Sequence, residues 1–149
     1  EYLLPTIRGE RTECFALTEP GAGSDARAIQ TRAVRDGGDW VLNGTKQFIS
    51  HADHADYIIT FAVTGTDETP RGPRSRITAF LVDKDLPGVD VQPIEVVSCR
   101  GYNPHIITFS DVRVPAGEHL VQYLHHRYGR RDRHITLEPG TRRTLIAHF

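Results

Sequence analysis

Cysteine is scarce in this chain. Cys14 and Cys99 are its two thiols among 149 residues, too few for a disulfide framework or a zinc site. They read as free thiols in a reducing cytoplasm. Long apolar runs are also missing: no stretch approaches the eighteen or so residues that a membrane-spanning helix requires. The opening Glu1-Tyr2-Leu3-Leu4-Pro5 has no basic region followed by an apolar run, so no secretory signal is expected. Charge of one sign is missing overall, since the net charge is −1, but it is unevenly spread. Residues 1–120 carry 12 basic and 17 acidic side chains, whereas residues 121–149 carry six arginines against Asp132 and Glu138. An acidic body argues against a nucleic-acid partner.

Thirteen glycines and nine prolines favour short strands joined by turns. Leu3, Leu4 and Ile7 could close a helix that Pro5 and Gly9 stop. Residues 14–18 form a short apolar run ended by Pro20-Gly21, which fits a buried strand entering a tight loop. Residues 29–35 and 40–48 flank Asp36-Gly37-Gly38-Asp39, a strong hairpin signal. Asn43-Gly44 predicts a turn or bulge within the second run. Residues 57–63 are apolar without alternation, as in a strand covered on both faces, and residues 64–76 read as an exposed loop. Three further strands are predicted at 77–82, 89–94 and 105–109. Regularly spaced short strands with no helical period between them predict an all-β barrel or sandwich.

The most informative stretch runs from Phe15 to Asp25. Gly21-Ala22-Gly23-Ser24-Asp25-Ala26 fits the G-x-G-x-x-A pattern of a dinucleotide-binding turn, but that turn must open a helix within a βαβ unit. Here the loop leads into a strand and a hairpin, so this reading fails. A strand end followed by glycines can instead offer backbone groups, the Thr18 hydroxyl and the Ser24 hydroxyl to a flat hydrogen-bonding ligand, with Gly21 and Gly23 admitting it close to the backbone. A plain turn capped by Ser24-Asp25 is the competing reading of the same residues.

Leu17-Thr18-Glu19-Pro20-Gly21-Ala22-Gly23-Ser24-Asp25 resembles the signature of the acyl-CoA dehydrogenase family. Further similarities follow in order: residues 42–50, Phe80-Leu81-Val82, Pro87-Gly88-Val89, Arg100-Gly101, and residues 109–115. The resemblance covers residues 1–120 and implies three segments. Residues 1–10 would be the remnant of a helical N-terminal domain, 11–120 the flavin-binding β domain, and 121–149 a divergent basic tail, helical or disordered. It implies FAD, with Phe15, Leu17 and Thr18 along the ring edge and Phe48, Ile49 and Ser50 beside its reactive nitrogen. Ser24 would touch both cofactor and thioester, and Arg100 would stand before a loop that lines the acyl-CoA channel, either as a substrate contact or in a structural salt bridge. Phe48 stands where the family usually has tryptophan, which keeps an aromatic face and loses an indole donor. Tyr102, Asn103 and Pro104 replace the small residues usual there.

In that family the flavin takes a hydride from the substrate β-carbon while a carboxylate removes the α-proton, and the cofactor carries the hard chemistry. The resemblance places that carboxylate in a C-terminal helical domain, so no catalytic residue is assigned within these 149, and a fragment inactive by itself is expected. It also implies an acyl-CoA substrate, electron-transfer flavoprotein as partner and a homo-oligomer, with no membrane. Glu19 reads as a brace for the loop. Lys46 could approach a phosphate, but lysine at a strand edge is commonly a solubilising residue. His51 and His54 have H-x-x-H spacing yet no helical period, so a solvated loop is expected rather than a metal site. The tail after Val121 leaves the family pattern, as an altered reading frame or truncation of a longer gene would produce. Two alternatives stay open: another superfamily member, such as an oxidase or flavin monooxygenase component, and a non-enzymatic β module that binds through unpaired edges.

Overall fold

The computed structural model describes residues 2–70, 72–97, 101 and 103–115, together with the backbone of 118–125 and 129–136. Arg100, Tyr102 and Cys99 lie outside the described residues. Helix α1 (Leu3–Ile7) opens the chain, followed by β1 (Glu13–Ala16), a 3₁₀ turn at Ala26–Ala28, β2 (Arg32–Asp36) and β3 (Asp39–Ser50). Then come β4 (Tyr57–Thr69), β5 (Gly72–Asp83), β6 (Val89–Pro93) and β7 (Pro104–Pro115). The predicted all-β class holds. The seven strands form one curled sheet, a half-barrel with β5 and β6 at its edges.

Alternation of side chains along each strand builds the core on one face. Cys14, Ala16, Leu42, Ile58, Ala62, Phe80, Val82, Ile107, Phe109 and Val112 pack together there, all nearly solvent-free. Fully burying an aliphatic side chain of this kind contributes about 1.5–3 kcal/mol, so the inward face dominates the stability of the sheet.

Turn chemistry explains the register. Gly37 and Gly38 close the β2–β3 hairpin, where Asp36 pairs with Asp39 and Gly37 takes a φ of +61°. The bulge predicted at Asn43-Gly44 is present: the register against β7 slips between Leu42 and Gly44, and Gly44 has φ +151°. A Cβ at Gly44 would sit 2.5 Å from Thr31 Oγ1, so only glycine lets β3 pass Thr31 this closely. Asn43 and Asp111 hold the opposite side, with Asn43 Nδ2 donating to Asp111 Oδ1 and Asp111 N donating to Asn43 Oδ1, both at 2.9 Å.

Several expectations are corrected. Pro5 lies inside α1 rather than ending it, because a first-turn residue needs no N–H donor; Gly9, with φ +70°, is the stop. Residues 64–69 and 72–76 are not a loop. They form the far half of a long β4–β5 hairpin, Thr66 opposite Ser75 and Thr69 opposite Gly72, in which β-branched threonines supply the strand propensity that the polar composition disguised. The run 14–18 is half-buried rather than buried, since Phe15 alternates out of the core and is 57% exposed. Over 118–125 and 129–136 the tail is neither helical nor irregular: β8 (Glu118–His125) pairs antiparallel with β9 (Gly129–Thr136) as a separate two-stranded sheet. Its arginines drew attention from Val121, Tyr123 and Ile135, which favour strands.

Candidate functional site

Strand β1 runs parallel to β4, with Cys14 opposite Ile58 and Ala16 opposite Thr60. After Ala16 the chain leaves β4. The same edge is taken up again only where Arg32 of β2 meets Val63, and Val63 N donates to Thr31 O at 2.8 Å. Residues 17–31 therefore emerge from a gap in the sheet. As they leave, Thr18 O accepts a hydrogen bond from Gln47 N of β3 at 2.8 Å. That bond joins the segment 15–18 to the segment 47–50.

The β3 side of this junction is irregular. Lys46 pairs with Ile107 and Ile49 with His105, so β3 holds one more residue than β7 across this step. The extra residue is accommodated at Gln47 and Phe48, and Phe48 takes φ +60° with more than half its surface exposed. A bulky side chain in the left-handed region is a true outlier, and outliers of this kind gather where a site demands an aim that regular pleating cannot give. Ile49 is buried, and Ser50, half-buried, pairs with Pro104. Phe15 stands outward on β1 with its ring 5.1 Å from that of Phe61 on β4, tilted at 56°. Phe61 was missed in the sequence, where the unbroken apolar run 57–63 gives no sign of its face; in the structure it lies between the inward Thr60 and Ala62.

The loop beyond is tightly turned. Glu19 N donates to Ala22 O at 2.9 Å and Ala22 N to Glu19 O at 3.1 Å. Asp25 Oδ1 then accepts Arg27 N at 3.1 Å to cap the 3₁₀ turn. Neither Gly21 nor Gly23 has a positive φ, and a Cβ added at either would meet no atom of the chain. The fold itself therefore does not require glycine at these two positions, and the space beside them is open. Ser24 lies exposed past the turn, on a different stretch of the loop from the Thr18–Gln47 junction.

Beneath the junction lies an ion pair. Lys46 is fully buried, which corrects its reading as a solubilising residue. Its Nζ donates to Glu19 Oε1 at 2.7 Å, Phe61 O at 2.7 Å and Leu17 O at 3.2 Å, using all three of its protons. Glu19 also accepts Gln30 N at 2.5 Å on Oε2 and Thr31 N at 3.0 Å on Oε1, the brace expected of it. Burial lowers the Lys46 pKa, partly offset by Glu19. Burial pushes the Glu19 pKa up, but the hydrogen bonds from Lys46, Thr31 and Gln30 outweigh it and hold the carboxyl below its ordinary value.

The remaining sequence candidates fall elsewhere. His51 and His54 lie exposed in the turn after β3, with His54 Nε2 3.4 Å from Asp53 Oδ2. No group of three metal-ligating side chains occurs among the described residues. Arg100 lies outside them. A shallow depression of about 470 Å³, lined by Asp53, Lys84, Val91, Pro93 and His105 among others, opens on the core side of β6 and β7 and includes none of the residues expected at the ring. Cys14 is buried and inert, its thiol pushed up to about 11 chiefly by burial.

A curled β sheet that turns aromatic faces outward at a strand end and a bulge, beside an open glycine loop, suits a flat ligand. Residues 14–112 match the family model described as acyl-CoA dehydrogenase, middle domain. The chain belongs to the acyl-CoA dehydrogenase family. It is 51% identical over 115 residues to a 3-(aryl)acrylate reductase of Clostridium sporogenes, covering 76% of this chain and 29% of that protein. It is 39% identical over 120 residues to a probable acyl-CoA dehydrogenase of Bacillus subtilis, covering 80% and 31%. Among solved structures, a glutaryl-CoA dehydrogenase of Mycobacterium smegmatis in complex with FADH2 superposes with a TM-score of 0.67 at 36% identity, covering 77% of this chain and 28% of that one. The chain thus spans about three-tenths of the length of the relatives it matches.

Proposed function

We propose that this chain holds the redox edge of FAD for an acyl-CoA dehydrogenase, which forms the α,β double bond of an acyl-CoA thioester. The observation that carries the reading is the Thr18–Gln47 bond, which sets a strand end and a bulge side by side so that one planar ring can rest on both. The donor set suits a flavin: Thr18 and Ser50 bring hydroxyls, Leu17 and Ile49 bring backbone groups, and Phe15 and Phe48 bring exposed aromatic faces. Gly21 and Gly23 leave open space where the chain needs none, and Ser24 stands at the far end of that loop to meet cofactor or thioester.

FAD, when bound, accepts the hydride from the substrate β-carbon. The chain's own residues bind and orient the ring and shield one face. None of them is assigned as the base for the α-proton: Glu19 is sequestered under Lys46, and a base must first reach the proton. Full turnover, with acyl-CoA as substrate and electron-transfer flavoprotein as acceptor within a homo-oligomer, belongs to the longer architecture of the family. These residues alone are expected to be inactive. A second reading, reduction of an α,β-unsaturated acyl group, is supported by the 51% identity to the 3-(aryl)acrylate reductase; it runs the same bond change in reverse over the same ring.

The test is direct. Titrating the purified chain with FAD should give saturable binding, a red-shifted visible spectrum and a raised thermal midpoint. Thr18→Ala and Ser50→Ala should each weaken binding, roughly five- to tenfold for one lost hydrogen bond. Saturation that neither substitution alters would sink the reading.

A further inference from the structure

The buried charges of Lys46 and Glu19 call for a reason beyond stability, because a buried ion pair is often no better than an apolar pair of similar volume. Their position supplies one. On the β4 edge, β1 covers residues as far as Thr60 and β2 resumes at Val63. Phe61 O faces the gap between them, where no neighbouring strand offers an N–H, and a buried carbonyl left unmet is costly. Lys46 reaches across from β3 into this gap, meets Phe61 O, and also gathers Leu17 O from the departing chain. Its third proton goes to Glu19, whose carboxylate takes the amides of Gln30 and Thr31. One ammonium and one carboxylate thereby fix four pieces of backbone: the exit of the loop, its return, the middle of β4 and the start of the β3 bulge. An apolar pair could fill the same volume and fix none of them.

We propose that Lys46 and Glu19 are positioning residues for the ring site, setting the spacing between the Leu17-Thr18 edge and the Gln47–Ser50 bulge from beneath without touching the ligand. The inference rests on the flavin reading above for its purpose, and on the geometry of the gap for its substance. Lys46 anchors both segments at their shared root, one residue from Gln47 and through the carbonyl next to Thr18. The Thr18–Gln47 bond therefore forms in one register only.

The experiment compares the chain with the double variant Lys46→Met/Glu19→Gln, which removes both charges and leaves neither one stranded. Two readouts are taken: amide hydrogen exchange at Gln47, Gln30 and Thr31 against core amides such as Ile58 and Val82, and the dissociation constant for FAD. The expected result is local. The three junction amides exchange about tenfold faster or more while core protection is kept, and FAD binds about tenfold more weakly or worse. Wild-type protection at the junction, or unchanged FAD affinity, overturns the proposal. Should the double variant lose its whole sheet, Glu19→Asp, which keeps both charges but shortens the reach, must reproduce the local pattern; global loss there too makes the pair a general stabiliser and ends the idea. A wild-type chain that takes up no FAD defeats the flavin reading, while the exchange readout still decides the positioning one.

Discussion

Two polar regions of this sheet look alike in sequence and behave oppositely. Around Lys46 the charged groups are buried and each bond has a backbone consequence. In the outer half of the β4–β5 hairpin the charged groups stand in water: Asp67 pairs with Arg76, and Thr64 shares a hydroxyl bond with Thr78 at 2.9 Å. The first set holds a gap in the sheet open at a defined width, whereas the second decorates a ladder that twelve backbone pairings already hold. Water is what separates them. A charge that has lost its hydration needs its partners, and a charge that keeps it hardly notices them.

That contrast can be broken or sharpened by substitution. The largest effect is expected from Lys46→Met alone, which leaves the Glu19 carboxylate buried and unpaired. A loss of roughly 3–5 kcal/mol in urea unfolding is expected, and a loss below about 1 kcal/mol would place Glu19 in water after all. Gly44→Ala comes next. With φ at +151° and Thr31 Oγ1 2.5 Å from the new Cβ, it should cost roughly 2 kcal/mol, measured in the same way.

A smaller effect concerns acid. The Glu19 carboxyl is held below its ordinary value of 4.5, so its contribution is complete above that pH and is lost as pH falls through the lower folded value. Glu19→Gln should start less stable at neutral pH and then show a flatter decline below 4.5 than the parent chain; parallel declines would count against the buried pairing. The smallest effect is expected at the hairpin, where Asp67→Ala should leave the urea midpoint within error. A clear shift there would erase the distinction between the two regions.

Much of the sheet is legible in the sequence because alternation and glycine turns act locally. The β2–β3 hairpin and the Asn43-Gly44 bulge follow from residues no more than a few positions apart. What escapes is set by distant partners. Lys46 is a surface residue by type and becomes a core residue only because β1 ends where it does, a fact written in no residue near Lys46. The outer hairpin escaped for the converse reason: its Gly and Pro suggested a loop, and only pairing with its own return strand reveals Thr64 to Thr69 as extended. Within the candidate site, the motif located the loop and the bulge, but the left-handed turn at Phe48 and the ring contact of Phe61 depend on β7 and β1 and could not be read from neighbours.

One carboxylate gripping both ends of the segment 19–31 has a consequence for change over time. A span cinched at its neck behaves as an interchangeable cassette, because added length at the tip costs only slowly growing closure entropy and transmits no pull to the neck. The stretch around Gly21 and Gly23 can lengthen, shorten or be regrafted while Thr18 and Gln47 keep their hold on one another. Diversity in what the loop greets can thus accumulate beside an unchanging seat.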